Sequence, residues 1–259
     1  MSFKIGTVFL LLCSLAIAAR HNDFRMSRIL NGDPATVRPF QFYLQAFNET
    51  GNNMDYGAGV LIAPRVVLTV ASLIRGFESW VVRFGHNVFG QTSTVTSSNA
   101  FLHPNFQTGD LFNLNDIGVV LLNSPIAGNV NPIALPETEV SLPRNYEEGQ
   151  ITNFETNLAN PSLGFTATSI LRSAFLTAFP QAECAATFPG ITGPIFCAFD
   201  DDYLSNLCTG DRGTAFVVVF RGVETLAGLT SRTSPGCDDR STFVQVQPYI
   251  PWIRAVANL

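Results

Sequence analysis

Lysine is all but missing from this chain. Lys4 is the only one, and every other basic side chain is an arginine. Histidine is scarce too, at His21, His86 and His103, which leaves few candidates for a general base or a metal ligand. From Ile29 onward 11 arginines face 19 aspartates and glutamates, a formal charge of −8. So acidic a balance argues against nucleic acid or an anionic membrane as the main partner. No Cys-x-x-Cys pair occurs, and no histidine stands near the later cysteines, so neither zinc nor any other metal or cofactor is expected.

Long apolar runs are missing after the first segment. That segment, Ile5 to Ala19, falls short of the about 20 residues that a comfortable membrane span requires. Lys4 precedes it and the small residues Ala16-Ile17-Ala18-Ala19 close it, the pattern of a secretory signal peptide over residues 1–19. The mature chain is therefore expected to be soluble, secreted and extracellular. Removing Cys13 with the signal leaves Cys184, Cys197, Cys208 and Cys237, an even set that permits three disulfide connectivities. Asn48-Glu49-Thr50 offers a glycosylation sequon at Asn48.

What remains is rich in short strand signals. In Phe40 to Ala46, Phe40, Phe42, Leu44 and Ala46 fall on one face, with mostly polar residues opposite. Val66–Val70, Trp80–Phe84, Ile117–Leu122, Phe165–Leu171, Phe216–Phe220, Thr225–Thr230 and Thr242–Val246 repeat the habit between turn residues. Helix is limited to Ala182–Thr187 and a C-terminal segment, Tyr249 to Val256, where Tyr249, Trp252, Ile253 and Val256 share a face. Pro251 fits only the first turn of that helix. Many short strands without alternating helices predict an all-β fold, as antiparallel barrels or a sandwich.

Cys208-Thr209-Gly210-Asp211-Arg212-Gly213 resembles the Gly-Asp-Ser-Gly-Gly-Pro loop of the trypsin and chymotrypsin serine peptidases. Arg28-Ile29-Leu30-Asn31-Gly32 is similar to that family's activation site, and Val67-Leu68-Thr69-Val70-Ala71-Ser72-Leu73 to its Val-Leu-Thr-Ala-Ala-His-Cys segment. Asn115-Asp116-Ile117-Gly118 matches the region of the triad aspartate. The resemblance covers nearly all of residues 29–259. It implies two six-stranded antiparallel Greek-key barrels, over about 29–140 and 141–259, a short C-terminal helix, and a propeptide at 20–28. It also implies disulfides Cys184–Cys197 and Cys208–Cys237, and an Ile29 terminus, freed by cleavage after Arg28, that pairs with Asp211.

The departures from the family pattern fall on the chemistry. Ser72 stands in place of the histidine base and Arg212 in place of the nucleophile, so Asp116 alone survives of the triad. Arginine has no oxygen with which to attack a carbonyl, and Ser72 is no base near neutral pH. Gly57 and Leu73 replace a disulfide pair, so compensating packing is expected there. At the specificity pocket, Asn206 lies at the base without a carboxylate, and Ser231-Arg232-Thr233 replace a more open wall. Gly210 and Arg212 still offer an oxyanion-type pair of N–H groups. Asp116 needs a partner, supplied either by Arg212 swinging inward or by Ser72, backbone or water with Arg212 turned to solvent. His103-Pro104-Asn105-Phe106 resembles a surface segment, not a displaced base.

These readings predict a secreted, monomeric, non-catalytic homologue that acts by binding an extracellular protein as regulator, decoy or cofactor. Two other readings fit the same residues. One is a weak endopeptidase with relocated chemistry, and the other is a secretory-fluid protein without a specific partner.

Overall fold

In the computed structural model the described residues are 29, 32–51, 54–128, 130–154, 166–200, 205–208, 210–234, 237 and 239–259. The segments expected to be a signal peptide, 1–19, and a propeptide, 20–28, lie outside them. Among these residues fourteen strands and three short α-helices follow one another, and every strand pair in the two sheets is antiparallel.

The N-terminal sheet contains β2 (Gln41–Phe47), β3 (Met54–Ala63), β4 (Val66–Thr69), β5 (Ser79–Phe84), β6 (Ser93–Ser97), β7 (Asn99–Leu102) and β8 (Gly118–Leu121). Their order is β6-β5-β2-β3-β4-β8-β7. The two end strands, β6 and β7, are consecutive in the chain with only Ser98 between them. The expected six strands thus become seven by a break in one bent strand. Helix α1 (Ala71–Ile74) follows β4 directly.

The second sheet contains β1 (Asp33–Pro34), β9 (Glu148–Phe154), β10 (Leu171–Phe179), β11 (Ile195–Phe199), β12 (Ala215–Phe220), β13 (Val223–Arg232) and β14 (Ser241–Gln245). β9 pairs with both β10 and β12, which closes a six-stranded barrel and leaves β1 as a short edge on β10. Phe196, Phe216 and Phe243 fill its core, with ring centroids 5.0–5.3 Å apart. Such close aromatic packing is a large contributor to burial energy. Helix α2 (Gln181–Thr187) carries Cys184, and α3 (Ile250–Ala257) buries Ile250 and Ile253 in the core of the N-terminal barrel.

Two sequence readings need correction. The strand expected at Phe165–Leu171 begins where that reading ended. Ser169 N–H bonds the Thr166 carbonyl and Thr166 N–H bonds the Ser169 hydroxyl, so local side-chain bonding makes a turn there. The polar face expected opposite Phe42 and Leu44 is not exposed either. Tyr43 is buried edge-on against Phe89 and Phe154, in a small apolar cluster that joins β2 of one barrel to β9 and β10 of the other.

Candidate functional site: a saturated carboxylate and a tethered arginine

Asp116 lies just before β8 and is fully buried. One of its oxygens accepts the Ser72 backbone N–H at 2.7 Å. The other accepts the Ser72 hydroxyl at 2.9 Å, Asn113 Nδ2 at 2.9 Å and the Ser231 hydroxyl at 2.6 Å. α1, β13 and the loop before β8 thus converge on one carboxylate. Burying an ion is costly unless its lone pairs are met, and four donors meet them here without a cation.

Arg212 does not pair with Asp116, which corrects one of the two arrangements expected. One of its terminal nitrogens donates to both carboxylate oxygens of Asp55, at 2.6 and 2.7 Å, and the other reaches the Ser72 carbonyl at 3.3 Å. The pair is partly covered, at 29% and 28% side-chain exposure, so Arg212 is not turned freely to solvent either. The Ser72–Asp116 bond of the second arrangement is present.

The physical reason lies in β3. A side chain at Gly57 would come within 2.5 Å of the Arg212 carbonyl, so glycine there lets the 208–213 loop press onto the strand. The Arg212 carbonyl then accepts Ala58 N–H at 2.7 Å. Asp55 sits two residues before Gly57, on the same face of the strand, and so meets the guanidinium. Leu73 is fully buried, and its methyl would lie 2.8 Å from a Cβ at Gly57. Leu73 therefore fills the space beside Gly57, the compensating packing anticipated for the missing bridge.

The remainder of the loop is held from the other barrel. Buried Asp211 accepts Asn153 Nδ2 at 2.7 Å, Cys208 N–H at 2.8 Å and Ile29 N at 3.5 Å. Ile29 itself is buried in the same cluster as Phe216. Gly210 and Gly213 both have positive φ, at 95° and 80°, which glycine adopts without strain. The two disulfides form as the resemblance implies, Cys184–Cys197 and Cys208–Cys237, and the second anchors the loop's start.

Gly210, Arg212, Ser231, Arg232 and Thr233 line a cleft of about 420 Å³ together with Ser72. Asn206 is buried and does not line it, so the residues expected to form one pocket are divided. Arg232 reaches across to the loop before β8. It donates to the Asp110 carbonyl at 2.7 Å, to the Gly109 carbonyl, and to Asn113 Oδ1 at 3.4 Å. Neither described histidine reaches the cleft. His86 accepts a bond from Val88 N–H, and His103 packs edge-on against Tyr249 and Trp252, where burial lowers its pKa. Asn48 sits in the β2–β3 turn, where Thr50 bonds its side chain at 2.9 Å.

Asn113 and Asp55 escaped the sequence reading. Asn113 stands three residues before Asp116 in an irregular loop, so no periodicity places it. Asp55 had a usable signal in its two-residue spacing from Gly57.

Tyr249 supplies a pH test of this neighbourhood. Its hydroxyl donates to Asn115 Oδ1 at 2.9 Å, and burial, with the Asp116 charge second, pushes its pKa up to about 12 from 10.0. The fold favours the neutral phenol. Its contribution to stability is therefore complete below pH 10 and is lost as the pH climbs through 12. Ultraviolet titration should show this late-ionising tyrosine vanish in Tyr249→Phe.

Two antiparallel β units, with a Gly-Asp-x-Gly loop and a buried aspartate between them, define a chymotrypsin-type scaffold. The trypsin family model matches residues 29–253, and the chain belongs to that family. It is 26% identical over 225 residues to human complement C1r subcomponent-like protein, covering 78% of this chain and 45% of that protein. It is likewise 26% identical over 220 residues to the Anopheles gambiae inactive CLIP domain-containing serine protease A8, covering 77% and 58%. The chain thus spans about half the length of these curated relatives. Solved structures of HL collagenase and of GrC share the fold, with TM-scores of 0.76 and 0.75 at 23% and 20% identity. Each covers 89% of this chain, over 99% and 100% of its own.

Proposed function

We propose that this protein is a secreted, non-catalytic serine protease homologue that works by binding an extracellular protein. The observation that carries the proposal is the occupation of the reactive positions. Ser72 spends its hydroxyl on Asp116, and Arg212 spends its guanidinium on Asp55 and the Ser72 carbonyl. An acyl transfer needs a nucleophile with a base in hydrogen-bond reach, and no histidine among the described residues reaches Ser72 or Arg212. The inactive mosquito relative and the two disulfides support the same reading. Secretion, cleavage after Arg28 and a glycan on Asn48 belong to it.

The test is to incubate purified protein, before and after cleavage at Arg28, with a fluorophosphonate probe and a mixed peptide library. The expected outcome is no labelling and no hydrolysis in either form. Hydrolysis that disappears in Ser72→Ala would instead establish a peptidase with relocated chemistry.

A further inference from the structure

The cleft has a charge opposite to that of the chain around it. Its lining includes three arginines, Arg75, Arg212 and Arg232, and no aspartate or glutamate. Residues 29–259 as a whole carry 19 acids against 11 arginines. The three cations are differently placed. Arg212 is neutralised by Asp55 from behind. Among the described residues Arg232 bonds the uncharged Asp110 and Gly109 carbonyls and the Asn113 amide but no carboxylate, so its charge stands. Arg75 follows α1, is exposed, and has no carboxylate partner among the described residues. Among the described acids near the cleft, Asp55 is taken up by Arg212, Asp116 is buried beneath four donors, and Asp110 lies on the loop that Arg232 holds.

The cleft also continues. A second depression of about 590 Å³, bordered by Leu102 and His103, shares Arg75, Phe106 and Thr108 with the first. Arg75 therefore stands at the junction of one extended groove. Two adjoining depressions of this combined volume suit a chain more than a single ion, and Phe106 gives them an apolar wall.

We propose that this groove binds an extended acidic polypeptide segment, with a Glu or Asp side chain of the partner held between Arg75 and Arg232. Guanidinium groups suit carboxylates through their planar array of donors, and an anion entering here replaces no existing ion pair at Arg75. The inference rests on the non-catalytic reading above and gives it a partner class.

The test is fluorescence anisotropy with a labelled decapeptide of alternating Glu and Ala, against its Gln and Ala counterpart, at several salt concentrations. The Glu peptide should bind at least tenfold more tightly, and its affinity should fall as salt rises. Arg75→Glu should weaken it about tenfold or more, as expected when an attractive contact becomes a like-charge one. Arg144→Glu, on the remote loop before β9, should leave it unchanged. Equal binding of the two peptides, or indifference to Arg75→Glu, overturns the proposal. A heparin oligosaccharide that binds where the Glu peptide does not also overturns it, because the anion class is then wrong. Mass spectrometry of the recovered Glu peptide separates the two readings. A cut peptide defeats the non-catalytic reading, and an intact peptide bound no better than its Gln twin defeats only the acidic preference.

Discussion

Gly213→Ala should destabilise the protein by about 2–5 kcal/mol, the sum of left-handed strain and of overpacking. Gly213 has φ of 80°, and a Cβ there would meet the Ala58 carbonyl at 2.0 Å and Thr69 Oγ1 at 2.7 Å. Neither neighbour can retreat freely. The Ala58 carbonyl already accepts Thr69 Oγ1 at 2.7 Å, and Ala58 N–H holds the Arg212 carbonyl. Gly213 N–H in turn donates to Thr230 at 2.8 Å. Gly222 makes a clean control, because it has the same φ of 80° but nothing within 4 Å of a Cβ. Gly222→Ala should therefore cost only the strain, about 1–2 kcal/mol. Equal losses of thermal midpoint in the two variants would mean that the loop is not pressed against β3.

Asp116→Asn should cost about 2–4 kcal/mol, although the volume scarcely changes. An amide can accept at one atom only. If its oxygen takes the place that receives Ser72 Oγ, Asn113 and Ser231, its NH2 faces the Ser72 backbone N–H, donor against donor. Each buried polar group left without a partner costs about 1–3 kcal/mol, and the loss of charge weakens the surviving bonds. Denaturant unfolding measures the effect directly. Asp116→Asn as stable as the native protein would show that the carboxylate is not the anchor of this site.

The legible parts of the fold were those whose pattern is local. α3 was readable because its apolar face and first-turn proline coincide, and α2 because a cysteine sits in a short helical run. β10 was misplaced by several residues. Its strand Leu171–Phe179 buries Leu171, Ala174, Leu176 and Ala178, and the alanines give a weak apolar signal. Tyr43 was misread because alternation assumes one wet face, whereas the second barrel covers it. At the site, Ser72, Asp116 and Arg212 were found through family motifs and do come together. Arg212's true partner was not found, since the pair joins β3 to a loop 157 residues away and the two-residue spacing of Asp55 from Gly57, the one local signal, was not used. The carboxylate on Asp116 looked like an unpaired charge only because Asn113 and Ser231 had not been assigned to it.

The central claim is that Arg212 is a tethered structural residue and not an exposed remnant. A double-mutant cycle on Asp55 and Arg212, each changed to alanine and read by unfolding free energy, tests it most directly. The expected result is a coupling energy of about 1 kcal/mol or more, above the few tenths typical of exposed pairs. Additive effects, with no coupling between the two substitutions, would contradict the claim.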